Sequence, residues 1–189
     1  MKKVFLIILS LTIFIPQSWC YMVSTGTYVP YLNKAQVSTS GSTQKYDLNP
    51  YIGIGTNFPM TSSQYFLPEF AYSYFMDNAS GSRREMVFLH YNFGYVLSPD
   101  ALLRYGLSTH WYRIIGKGGT TTLDNGTGTT SFANPDKTVT TYFTTLNLGA
   151  EYFINSKQNS IRFDLNMMSF KDFDKRVYNY LLTYNFFHY

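Results

Sequence analysis

Four things are scarce in this sequence, and each scarcity removes a class of protein. Cysteine occurs once, at Cys20, so no disulfide framework can staple a small secreted fold. Charged residues make up only 14% of the 189 residues, too few to cover the surface of an ordinary soluble domain. Basic residues outnumber acidic ones by 15 to 11, and without Lys2 and Lys3 the balance is 13 to 11. That margin leaves no polybasic face for nucleic acid. Long apolar runs are missing too. Val4 to Ile15 falls short of the roughly 20 residues a helix needs to cross a bilayer, and no later run reaches that length.

The short run has a different use. Met1-Lys2-Lys3 is a basic tip, Val4 to Ile15 an apolar stretch, and Ser18 and Cys20 are small residues three and one before a cut. This is the layout of a secretory signal peptide. Residues 1–20 are therefore expected to be removed, leaving one domain over 21–189 without cysteine. Acylation of Cys20 as in a lipoprotein fits less well, because Gln17 and Trp19 occupy positions where that signal carries other residues.

What is abundant is aromatic. Tyr and Phe number 18 and 16, and aromatics reach 19%. They recur at every second position. In Tyr178-Asn179-Tyr180-Leu181-Leu182-Thr183-Tyr184-Asn185-Phe186 the even-numbered residues are large and apolar, while Asn179, Thr183 and Asn185 fill polar positions between. Period two is the signature of a strand with one greasy and one polar face. Eight such runs follow one another: about Val23–Tyr31, Tyr46–Phe58, Tyr65–Met76, Val87–Leu97, Leu103–Trp111, Tyr142–Tyr152, Ile161–Met167 and Tyr178–Phe186. No helical pattern is available to cover the greasy faces, which leaves lipid. The expected fold is all-β, an eight-stranded antiparallel transmembrane up-and-down β-barrel with aromatic girdles at both interfaces. Pro50 and Pro68 each remove a ladder donor, so a bulge or a strand end is expected at both.

Connections alternate in length. Asn33–Gln44 and Gly116–Lys137 are long, Asp77–Arg84 intermediate, and Pro59–Ser63, Ser98–Asp100 and Asn155–Ser160 short. Short periplasmic turns and longer external loops produce this alternation; Lys171–Lys175, an external position by the same count, breaks it by being short. The Gly- and Thr-rich stretch 116–137 is expected to be a mobile loop, with Asn125-Gly126 a turn signal. Its glycines have no strand-to-helix setting, so they are not a phosphate loop.

In this architecture, and in Tyr180-x-Leu182-x-Tyr184-x-Phe186 near the end of the chain, the sequence resembles the small eight-stranded outer-membrane barrels of Gram-negative bacteria, the OmpA-like, OmpX-like and OmpW-like group. The resemblance covers roughly residues 22 to 186. It implies a place in the cell outer membrane, contact with its lipid and lipopolysaccharide, and an assembly signal at Tyr180, Leu182, Tyr184 and Phe186 read by the barrel-assembly machinery. Phe187-His188-Tyr189 follows that signal, so its frame is either shifted by three or ends on Tyr189 with a poorer alternation. Trp111, Tyr142, Tyr152, Tyr184 and Phe186 are the expected interfacial aromatics.

Chemistry has to be sought on the polar faces, which an eight-stranded barrel turns inward and packs. Charges there must be paired. A turn near residue 157 sets Glu151 opposite Asp164 with Arg162 one step away, and Arg104 lies at similar height. Arg104, Glu151, Arg162 and Asp164 are thus expected to form one network near the periplasmic end. A turn near residue 100 sets His90 opposite His110, with Glu69 nearer Asn92. Two imidazoles and a carboxylate can bind zinc, but the spacing is no metal signature. Hydrogen bonding of the pair among Asn92, Ser108 and Tyr112 is the expectation, with no metal and no cofactor.

Ser108-Thr109-His110 suggests a lipid A hydrolase only superficially, since its nucleophile would face the lumen. The resulting expectation is a non-enzymatic barrel with a packed lumen, whose loops 33–44 and 116–137 meet an unknown external partner. A narrow conduit or binding barrel for a small apolar ligand is the alternative, using gaps left by Gly53, Gly55, Gly94, Gly106 and Gly149. A lipid A-modifying enzyme is the second.

Overall fold

The computed structural model describes residues 20–30, 36–37, 44–45, 48–75, 83–124, 129–133, 135–155 and 157–188. Within them eight strands close into a barrel: β1 (Cys20–Val29), β2 (Asn49–Pro59), β3 (Gln64–Phe75), β4 (Arg83–Ser98), β5 (Ala101–Ile115), β6 (Thr138–Ile154), β7 (Asn159–Met168) and β8 (Val177–His188). Every strand pairs antiparallel with its neighbours in sequence, and β1 closes the sheet against β8 from Tyr21↔His188 to Val29↔Tyr180. Closure satisfies every ladder and leaves no open edge. Cys20 opens β1, paired with Asn57; the rest of the expected signal segment, and Tyr31, Tyr46, Asp47 and Met76 of the expected strands, lie outside the described residues.

The two prolines act differently. Pro50 stands next to the start of β2, and the ladder to β3 begins one residue later, at Tyr51↔Ser73. At Pro68 there is no bulge: β3 runs through it, and only the two β2 pairs between Gly55↔Glu69 and Phe58↔Phe66 drop out, with unchanged register on either side. The register shift falls instead between Val96 and Ser98, beside the turn at Pro99–Asp100.

An up-and-down order sends successive connections to opposite ends. One end carries the tight turns at 60–63, 99–100 and 155–158; Asn155 and Lys157 there adopt positive φ, 50° and 71°. The other end carries 30–48, 76–82, 116–137 and 169–176. The last of these corrects the expectation of a short Lys171–Lys175 link: β7 stops at Met168 and β8 starts at Val177, with one 3-10 turn at Phe173–Lys175 between. All four connections at this end are therefore longer than the three turns opposite. The stretch 116–137, expected to be mobile, holds a two-stranded hairpin of Thr120–Asp124 against Thr129–Ala133. The Asn125-Gly126 turn signal falls between those strands, outside the described residues.

The lumen is filled in layers. Met22, Phe187 and Phe153 pack at the tight-turn end. Toward the long-loop end Tyr28, Tyr51, Phe75, Met86, Phe88 and Leu181 form an apolar cluster, in edge-to-face contacts such as Tyr28–Phe88 at 5.1 Å and Phe88–His110 at 4.7 Å. Polar and charged side chains occupy the space between.

Candidate functional site

Strand alternation alone puts the polar residues inside. On β7, Ser160, Arg162, Asp164 and Asn166 are buried while Ile161 and Phe163 between them face out, 48% and 45% exposed. The same phase buries Glu69 on β3, His90 and Asn92 on β4, Arg104, Ser108 and His110 on β5, Thr145, Asn147 and Glu151 on β6, and Thr183 and Asn185 on β8.

The register differs from expectation by two residues on two hairpins. Glu151 lies opposite Arg162, and Asp164 opposite Gly149. His90 lies opposite Ser108, and His110 opposite Phe88. Glu69 faces His90, whereas Asn92 pairs with Leu67. A slip of two residues changes the partner but keeps the face, so every one of these side chains still points inward.

Four ion pairs join the charges. Arg104 Nη1 meets Glu151 Oε2 at 2.6 Å, and Arg104 Nε meets Asp164 Oδ1 at 3.4 Å. Arg162 Nε meets Asp164 Oδ2 at 3.1 Å, and Arg162 Nη1 meets Glu69 Oε2 at 2.5 Å. Asp164 thus bridges the guanidiniums through ionic contacts that lack hydrogen-bond alignment. All five side chains are at most 2% exposed. Two guanidiniums face three carboxylates, and neutral donors offset the excess: Ser160 Oγ (2.5 Å) and Asn185 Nδ2 (2.9 Å) donate to Glu151, and Tyr51 Oη (2.9 Å) donates to Glu69.

Tyr51 and Glu69 are members that sequence reasoning left out of the network. Tyr51 Oη also lies 3.1 Å from His90 Nε2 and accepts from Arg162 Nη2 at 3.4 Å. His90 Nδ1 meets Ser108 Oγ, which also accepts from Asn147 Nδ2. Donor counting then assigns one tautomer: Ser108 donates to Nδ1, Nε2–H donates to Tyr51, and Tyr51 donates to Glu69. Asn147 continues to Asn92 at 2.9 Å, while Thr145 links Asn147 (2.9 Å) to His110 Nε2 (3.2 Å). Tyr112 packs on Phe75 at 5.5 Å. The imidazoles are 6.2 Å apart, both nitrogens of His90 are engaged by protein groups, and among the described residues no cluster of His, Cys, Asp and Glu is placed to hold a metal ion.

The chain Ser108–His90–Tyr51–Glu69 has the order of a nucleophile, a base and orienting groups. Ser108 is fully buried in the lumen, between Asn147 and His90. The inward glycines are no gaps either. A Cβ on Gly53 would meet the Glu69 carboxylate, on Gly55 Met22 and Glu69, on Gly94 Leu67 and Leu102, on Gly106 Asn92, and on Gly149 Asp164. At Gly53, Gly94 and Gly149 a neighbour's side chain is the nearest obstacle, and at Gly55 and Gly106 it is the adjacent strand's backbone.

The outer wall is the inverse of the lumen. Ile52, Ile54, Phe70, Leu146, Leu148 and Leu182 are all exposed. Trp111 and Tyr142 pack edge-on at 6.4 Å toward the long-loop end. Tyr152 and the Tyr184–Phe186 pair (4.9 Å) lie toward the tight turns. On β8, Tyr180, Leu182, Tyr184 and Phe186 share the outward face, which continues to exposed His188 while Phe187 turns inward.

Fold and lumen together define a closed eight-stranded meander barrel with a packed polar interior and an apolar outer wall. This is the fold of the small outer-membrane barrels of Gram-negative bacteria. Ail, the attachment invasion locus protein of Yersinia pestis, superposes with a TM-score of 0.52 over 90% of this chain and 97% of its own, at 7% identity. Neisserial surface protein A gives 0.46 over 89% and 95%, at 11% identity. The N-terminal barrel of Pseudomonas aeruginosa OprF gives 0.41 over 89% and 97%, at 13% identity. No sequence family and no curated protein matches the chain.

Proposed function

We propose that the chain is an integral outer-membrane protein without catalytic activity, in which a sealed polar lumen holds the barrel shut and the long connections at one end face the surroundings. The observation that carries this reading is the inverted polarity of the sheet: charges that are at most 2% exposed inside, and leucines and isoleucines exposed outside. Water would enforce the opposite arrangement, and a bilayer enforces this one.

Dimensions support it. On β6, ten residue-to-residue steps lead from the outward Tyr142 to Tyr152, with Leu146, Leu148 and Ala150 between them. At about 3.4 Å per residue and a tilt of roughly 40°, that span covers about 26 Å along the barrel axis, close to the roughly 25 Å apolar band of such proteins. The outward series ending at Phe186 and His188 is the surface on which the barrel-assembly machinery would read its signal. The loops 33–44 and 116–137 are where an external partner would dock, in surface interaction or envelope integrity.

Planar-bilayer recording on the purified, refolded chain tests the sealed lumen. No stable single-channel steps are expected, because a Cβ on Gly53, Gly55, Gly94, Gly106 or Gly149 would already strike a neighbour and the charges are locked in one network. Clear, long-lived steps would overturn the plug and favour a conduit.

A further inference from the structure

We propose that Arg83 and Arg113 form a binding site on the outer wall for the phosphate groups of outer-leaflet glycolipid. The proposal rests on the outer-membrane reading above and adds a ligand and its residues. Among the described residues of the eight strands, Asp, Glu, Lys or Arg occurs on the outward face only at Arg83, Glu85 and Arg113. They are neighbours. Glu85 lies opposite Arg113, and Arg83 opposite Ile115.

Their height is set by the ladder. Tyr72, Val87, Trp111 and Tyr142 face one another across β3 to β6 and form the aromatic rung at the long-loop end. The rung Tyr74, Glu85, Arg113 and Thr140 comes two residues further out, and Arg83 another two. At the strand rise and tilt used above, these rungs lie roughly 5 Å and 10 Å beyond the aromatic girdle. That is the headgroup level rather than the acyl level.

The cluster is built to present cations outward. Glu85 Oε1 holds Arg113 Nη1 at 3.1 Å, and Oε2 holds Arg83 Nη2 at 3.3 Å while accepting from Tyr72 Oη at 3.0 Å. Arg83 also lies over the Tyr74 ring at 5.5 Å. The carboxylate is 11% exposed, yet the two arginines keep 52% and 51% of their side chains exposed. One guanidinium would neutralise Glu85. The second leaves the cluster with a formal charge of +1 and two half-exposed guanidiniums, planar forks of the kind that suits phosphate oxygens.

The test uses the folded, purified chain in detergent and native mass spectrometry with bis-phosphorylated lipid A or the same lipid stripped of its phosphates. The phosphorylated form is expected to bind the wild type roughly ten-fold more tightly or better, with a preference that shrinks as salt rises. Arg83→Gln/Arg113→Gln should abolish the preference. Lys171→Gln/Lys175→Gln, an equal loss of charge in a distant loop, should keep it, and thermal melts verify that each variant is folded. Equal binding of both lipids by the wild type, or a preference that survives the double arginine change, would overturn the site while leaving the membrane reading intact. Failure of the wild type to insert into phosphatidylcholine vesicles would overturn both.

Discussion

Arg162 and Glu69 form the tightest pair in the lumen, yet their removal should not cost the same. Arg162→Met keeps an unbranched stem but deletes the contacts to Glu69, Asp164 and Tyr51. Three buried carboxylates would then share one guanidinium, Arg104. Breaking a buried pair by removing one partner costs about 3–5 kcal/mol, because the remaining charge is stranded. Glu69→Gln leaves two guanidiniums facing two carboxylates, and Arg162 keeps Asp164 at 3.1 Å. Its cost is the difference between a charge-assisted and a neutral hydrogen bond, about 1–1.5 kcal/mol.

Urea unfolding of the refolded barrel in lipid vesicles, followed by Trp111 fluorescence, separates the two. With a slope of about 2–3 kcal/mol per M, Arg162→Met should lower the midpoint by about 1–2.5 M and Glu69→Gln by about 0.3–0.8 M. If Glu69→Gln proved as damaging as Arg162→Met, the charge count would not govern the lumen, and the reasoning would fail.

Two further outcomes follow from the same interior. Gly149→Val would drive a side chain into Asp164 and the Phe163 backbone, which should cost about 1–3 kcal/mol by overpacking and lower the urea midpoint accordingly; an unchanged midpoint would mean the lumen has room to spare. Ser108→Ala leaves His90 Nδ1 and Asn147 without their shared partner, so stability should fall by about 1–3 kcal/mol, while mass spectrometry of lipid A from cells expressing either form should show the same acyl pattern as a control strain. An altered pattern that depends on Ser108 would point to catalysis.

Much of this was legible in the chain, because a barrel strand writes its two environments at alternate positions. Arg162 between Ile161 and Phe163, or Asn185 between Tyr184 and Phe186, announces an inward polar residue without any knowledge of its partner. Partners are harder. The turn sets Ser98 against Ala101, one residue off a turn centred on residue 100, and the shift between Val96 and Ser98 adds one more, so the residue opposite His90 is Ser108 and not His110. The turn at 155–158 likewise sets Glu151 against Arg162. Neither displacement leaves a mark in hydrophobic periodicity.

Tyr51 was missed for a different reason. An inward tyrosine beside the outward Ile52 and Ile54 carries no polar signal of its own, and only its reach across the lumen to Glu69, His90 and Arg162 reveals a role. The Glu69–Arg162 pair joins β3 to β7, strands that share no ladder, and closure of the sheet alone brings them together.

The central claim is that acyl chains cover the side of the sheet that carries Leu148, midway between Tyr142 and Tyr152 on β6. A Leu148→Trp variant in a Trp111→Phe background, reconstituted in vesicles, measures this directly. Its fluorescence should be quenched strongly by lipids brominated deep in their acyl chains and left unchanged by aqueous iodide. Quenching by iodide with no response to brominated lipid would contradict the account.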